Sequence, residues 1–207
     1  MTSLVGRVVL LPTLGGMTTR PLTTRERIVD AGVELTTDLG WSRVTMAKLA
    51  DAVGVSRQTV HNEVGTKAGL AEAMILRELE RFMTVVDRAF DSHPGDLVAA
   101  IRASAEDVLV HAGDNTLLKA VVSATHGADT ELLPLLTTHA HSLLATAKQV
   151  IAARVEPYDH DLTPEQTDAM IDIVVRVVLS HVMQPSAAPA QTADAVAFIA
   201  ARVLEPR

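Results

Sequence analysis

Residues 56–62 read Ser-Arg-Gln-Thr-Val-His-Asn, six hydrogen-bonding side chains around one valine. Arginine pairs bidentately with a guanine edge, glutamine and asparagine with an adenine edge, and hydroxyls bond phosphate oxygens. Arg57, Gln58, Thr59 and Asn62 are therefore candidates for base edges, each with phosphate or water as the alternative partner, while Val60 is left to face a core. Catalytic chemistry finds much less to work with. The chain has no cysteine, which excludes disulfides, thiol nucleophiles and thiolate metal sites and fits a reducing compartment. Its eight histidines include no Glu-x-x-His pair of the kind that builds carboxylate di-metal bundles. His139 and His141 point to different faces of a helix, and Asp107 with His111 at i,i+4 reads more simply as a surface pair than as a metal site. Neither a Walker loop, a dinucleotide fingerprint nor a nucleophile elbow occurs. Neither a cofactor nor a metal is expected.

The elements that must position residues 56–62 are short. Thr45 caps a helix carrying Met46, Leu49, Ala50 and Val53, Gly54 supplies a turn, and Ser56 caps a second helix through Asn62. A helix, glycine turn and helix of this size hold the second helix at a steep angle, slim enough for a major groove. An ordinary helical corner is the competing reading. Around this pair the pattern is helical throughout, and no segment alternates with period two over strand length. Ile28, Ala31 and Leu35 mark a helix from about Thr24 that stops at Gly40, and Thr66 opens a long one to about Phe90. Further helices are expected from Pro94-Gly95-Asp96 to about Ala112, Asn115 to about His126, and Thr130 to about Arg154. Thr163-Pro164-Glu165-Gln166 joins a Thr cap, a proline at the first helical position and a capping-box Gln, and starts a helix ending near Pro185. Ser186–Gln191 reads as an Ala/Pro linker before a last helix from about Thr192 to Leu204. The expected fold is all-α, with nine helices.

Charge qualifies this picture. Eighteen Lys and Arg against 25 Asp and Glu leave a net −7, which ordinarily argues against nucleic acid. Residues 1–70, however, hold eight basic and six acidic side chains, or +2, and the rest of the chain carries −9. Residues 1–22 are expected to be a disordered arm, with Met17 as an alternative start; Val8-Val9-Leu10-Leu11 is too short to cross a bilayer. The remainder divides into a helix-turn-helix unit over 23–70 and a larger unit over 71–207. A cytoplasmic location and no membrane contact follow as expectations.

At these residues the sequence resembles the TetR family of one-component transcriptional regulators. The resemblance runs from about Thr24 to Leu70 through Arg27-Ile28-Val29-Asp30-Ala31, Gly40-Trp41, Val44-Thr45-Met46-Ala47-Lys48-Leu49-Ala50, Gly54-Val55-Ser56, Thr59-Val60 and Lys67-Ala68-Gly69-Leu70. It implies a three-helix DNA-binding head, a larger helical domain, and a homodimer built on the last two long helices. It also implies a repressor on a palindromic operator, released by a small effector. Lys67 matches the family's phosphate-contacting lysine, and Thr45 offers a hydroxyl and helix N-terminal N–H groups to a phosphate. His61 stands where the family usually has tyrosine, so it is the expected replacement as a phosphate donor. Val64 replaces a phenylalanine, a loss of core volume for which Trp41 can compensate. With Ser56, these complete the expected DNA-contacting set. Arg20, Arg25 and Arg27 are expected as a basic arm or as exposed arginines.

In the larger unit, Met170, Ile171, Ile173, Val174, Val177, Val178, Val196, Ile199 and Val203 supply apolar surface for a four-helix seam between copies, with Ile173, Val174, Val177, Val196, Ile199 and Val203 as its expected contacts. Aromatics make up only 2% of the chain, which suits an aliphatic effector better than stacked rings. His111, Ser123, Thr125, His126 and His141 are candidates to orient its polar end. A helical-bundle enzyme and a helical interaction module without DNA are the alternative functions.

Overall fold

A computed structural model of the chain describes residues 20–119 and 140–205. Among them are eight α-helices, one 3-10 turn and a further helical stretch at 116–119: α1 (Thr24–Leu39), the turn Trp41–Arg43, α2 (Met46–Val53), α3 (Arg57–Val64), α4 (Lys67–Asp91), α5 (Leu97–Asp114), α6 (Ala140–Val155), α7 (Pro164–Met183) and α8 (Pro189–Leu204). No strand occurs among the described residues, and the fold is all-α. No helix among them is long and apolar enough to cross a membrane.

Local chemistry sets most helix starts. Thr23 accepts the Glu26 N–H at 3.2 Å while its own N–H donates to the Glu26 carboxylate at 2.7 Å, a reciprocal cap that the sequence reading passed over. The Thr45, Ser56 and Thr66 hydroxyls cap α2, α3 and α4, and Asp96 caps α5. Thr163 and Gln166 form the expected capping box on α7. One start differs from expectation. Helix α8 begins at Pro189 rather than Thr192, because proline's fixed φ suits the first helical position and Gln191 reaches back to the Ala188 N–H at 3.4 Å. The proposed linker is thus shorter by a turn. The expected helix 115–126 is described only through residue 119, and the one expected from Thr130 only from Ala140 onward; the rest of both lies outside the described residues.

Two hydrophobic clusters organise these helices. The first gathers Ile28, Val29, Trp41, Val44, Leu49, Val53, Val60, Val64, Leu70 and Met74 from α1 through the start of α4. Trp41 and Val64 are both buried there, so the large indole and the small valine share one core. Leu117, from the helical turn that follows α5, is buried in the same cluster. The second cluster runs along α4, α5, α6, α7 and α8, with Phe90, Ile101, Leu109, Val155, Ile171, Val178 and Val196 among its buried residues. Helix α5 packs chiefly between α4 and α8. Helix α6 is tied down by ion pairs at its middle and at its C-terminal end: Lys148 lies 3.2 Å from Asp168 and 3.1 Å from Asp172 on α7, and Arg154 pairs with Asp87 and Asp91 on α4.

Candidate nucleic-acid interface

The α2–α3 corner is built by two glycines used differently. Gly54 ends α2 in the left-handed region (φ 73°, ψ 39°), where a side chain is strained, and this turn redirects the chain into α3. Gly69, in the first turn of α4, lies so close to the C-terminus of α3 that an added methyl would overlap the Val64 carbonyl oxygen. Helix α3 is therefore seated from both ends. It buries Val60 and Val64, one turn apart, and turns its other faces outward.

Those outward faces carry the expected residues. Arg57, Gln58, His61 and Asn62 are exposed, and Thr59 is half-buried. Arg57 and His61 share one stripe at i,i+4, and Gln58 and Asn62 share the adjoining one. The Gln58 Nε2 donates to the Asn62 Oδ1 at 2.9 Å. Ser56 accepts the Thr59 N–H at 3.0 Å and its hydroxyl lies 2.8 Å from that of Thr59, so this pair is engaged in capping.

Thr45 is exposed at the N-terminus of α2, its hydroxyl accepting the Lys48 N–H at 3.2 Å. Lys67 begins α4, and its ammonium lies 4.9 Å above the Trp41 ring and 3.5 Å from the Ser42 carbonyl oxygen. The structure thus brings Lys67 against the turn that leads into Thr45 and α2. Arg43 and Lys48 are exposed at the same place, with the Lys48 ammonium donating to the Arg43 carbonyl at 3.0 Å. The sequence reading missed both as candidates, since a surface cation beside a helix start has no spacing signature.

Arg20, Arg25 and Arg27 are exposed, as the second of their two readings expects. Arg25 donates to the Glu63 carbonyl at the end of α3, and Arg27 to the Val53 carbonyl at the end of α2. These guanidinium groups serve as C-terminal caps across the head, neutralising the negative ends of both short helices. Arg20 pairs with Glu26 at 2.6 Å. The Thr23 N–H and hydroxyl, then Arg20, hold the Glu26 carboxyl below its ordinary range.

Between α5 and α4, His111 lies edge-on to Phe82, with centroids 4.8 Å apart, and its Nε2 is buried with no partner among the described residues. One turn away along both helices, the buried Glu78 accepts from Asn115 at 3.0 Å and from Arg81 at 2.8 Å. A charge in such a seam was missed because Glu78 interrupts an otherwise apolar stripe that the periodicity assigns to packing. Ser123, Thr125 and His126 lie outside the described residues, as does the His141 side chain. The expected seam residues divide. Ile173, Ile199 and Val203 are exposed by 56%, 51% and 43%, Val174 and Val177 are half-buried, and Val196 is 4% exposed against α5. Met170, Ile171 and Val178 are likewise buried within the chain. Phe198, 63% exposed, joins the outward face and was not anticipated.

A glycine-turned helix pair, with its second helix seated by two valines and polar on every other face, defines a helix-turn-helix DNA-binding regulator. Residues 28–74 match the family model for bacterial regulatory proteins of the tetR family, and residues 96–202 match that for the bacterial tetracyclin repressor C-terminal domain. The chain belongs to the TetR family of transcriptional regulators. It is 28% identical over 165 residues to the HTH-type transcriptional regulator AlkX of Mycobacterium tuberculosis, covering 78% of this chain and 75% of the relative. It is 35% identical over 100 residues to the nucleoid occlusion factor SlmA of Vibrio cholerae, covering 48% and 50%. Among solved structures, the TetR family repressor AlkX from Dietzia sp., implicated in biodegradation of n-alkanes, superimposes with a TM-score of 0.70 at 28% identity, covering 88% of this chain and 95% of that one.

Proposed function

We propose that the protein is a cytoplasmic, homodimeric repressor that holds a palindromic operator and releases it on binding a small aliphatic effector. Residues 23–70 read DNA and residues 71–207 bind effector and dimerise. The observation that carries the reading is α3, which buries only Val60 and Val64 and offers Arg57, Gln58, His61 and Asn62 to a partner. Thr45, just after the Trp41–Arg43 turn, and Lys67, packed against that turn, supply the phosphate contacts that set its register. A two-fold dimer through the exposed faces of α7 and α8 sets two such helices about 34–36 Å apart, one turn of duplex.

The effector reading rests on the largely aliphatic second cluster and on the AlkX repressor, whose name ties it to alkane breakdown. The His111 imidazole, edge-on to Phe82 and with a buried Nε2 that has no partner among the described residues, supports a bond to the polar end of such a molecule. Release follows if the effector favours a different spacing of the two heads, and its reach is limited by its differential affinity for the two states. A gel-shift with the duplex upstream of the protein's own gene tests the first part. Retention that weakens with salt and fades as alkanes or fatty acids of increasing length are added supports the reading. The absence of any shift overturns it.

A further inference from the structure

We propose that Gln58 and Asn62 read the major groove as one hydrogen-bonded unit that selects an adenine edge, an inference resting on the DNA-binding reading above. The two residues lie one turn apart on α3, exposed, with Gln58 Nε2 donating to Asn62 Oδ1 at 2.9 Å. That bond engages the donor group of one amide and the acceptor of the other. The amide atoms this bond leaves for a partner are the Gln58 Oε1 as acceptor and the Asn62 Nδ2 as donor. Rotating both amides exchanges the residue that donates and leaves the displayed pair unchanged.

An edge complementary to this display must donate one hydrogen and accept one side by side. Adenine does so with N6–H and N7; guanine offers two acceptors, cytosine a donor, and thymine an acceptor beside a methyl. A single amide from either residue could also pair bidentately with adenine. The difference lies in pre-organisation: each side chain orients the other before DNA arrives, which lowers the ordering cost of binding. It follows that neither residue reads its base alone.

The test is selection of bound duplexes from a random pool by the full chain, compared among wild type, Gln58→Ala, Asn62→Ala, the double variant and Gln58→Glu. Both side chains are exposed, so the variants keep the melting behaviour of the parent. The expected result is an adenine in each half-site of the wild-type set. Both single variants lose that preference at the same position, by about tenfold or more, and the double variant loses no more than either single. In Gln58→Glu, Asn62 turns its Nδ2 to the new carboxylate, two acceptors face outward, and the preference moves toward cytosine. Losses at two different positions, or a double loss equal to the product of the singles, would overturn the unit. Failure of the wild type to enrich any duplex overturns the DNA-binding reading itself, which is a separate outcome.

Discussion

The Lys67 ammonium sits over the Trp41 indole and beside the Ser42 carbonyl, held by a cation–π contact and a backbone acceptor at once. A cation restrained at the edge of the reading surface attracts a phosphate without sensing the base attached to it. Lys67→Ala should therefore weaken binding to specific and random duplexes alike. Its dependence of log K on log salt should become shallower by about 0.9, the share of one neutralised phosphate. Titration of both duplexes at several salt concentrations checks this, and a loss confined to one sequence would contradict it. Gly69 makes a steric prediction two residues later. Gly69→Ala places a methyl onto the Val64 carbonyl, and separating α3 from α4 to relieve it should cost about 1–3 kcal/mol, readable by denaturant melts. Loss of operator binding should exceed what that destabilisation alone explains, because the displaced element is α3.

Helix caps make a pH prediction. Glu26 is depressed chiefly by the Thr23 N–H, so the folded head binds its proton less readily than the unfolded chain. The stabilisation is complete above the ordinary carboxylate pKa and is lost as pH falls through the depressed folded value. The melting difference between wild type and Glu26→Gln should be present at neutral pH and close at acid pH; a gap that widens on acidification would contradict the assignment. The same scale shows what was legible beforehand. Thr45, Ser56, Thr66 and Thr163 announce their helices because a hydroxyl cap is a local event between residues three apart. The roles of Arg25 and Arg27 were not legible, since each meets a carbonyl brought near only by the fold. Val196 was equally hidden. Helical periodicity marks it as apolar alongside Ile199 and Val203, but only the packing of α5 shows that it faces inward while they face out.

The outward apolar face of α7 and α8 is the proposed seam between two copies. Ile173, Phe198 and Ile199 are each more than half exposed, an unusual cost for a lone chain in water and one that pairing removes. Ile199→Glu should yield a folded monomer by sedimentation that binds a palindromic duplex far more weakly. Val196→Ala should instead leave the dimer in place and lower stability by about 2 kcal/mol, since it opens space inside each chain. The division of charge works in the same direction. With +2 over residues 1–70 and −9 beyond, the proposed dimer should bind firmly only with two heads at the correct spacing, since a single head has little general attraction for DNA.

Leu117 lies 43 positions beyond Met74 in sequence, yet its side chain is part of the same core as α1 to α3. The reading head is therefore not a transplantable cassette. A fragment ending at residue 74 would carry a vacancy where that leucine belongs and should melt below the head in the full chain. A chimaera joining this head to another regulator's body would inherit that body's side chain at the same seat, and would fold well only where its shape matched.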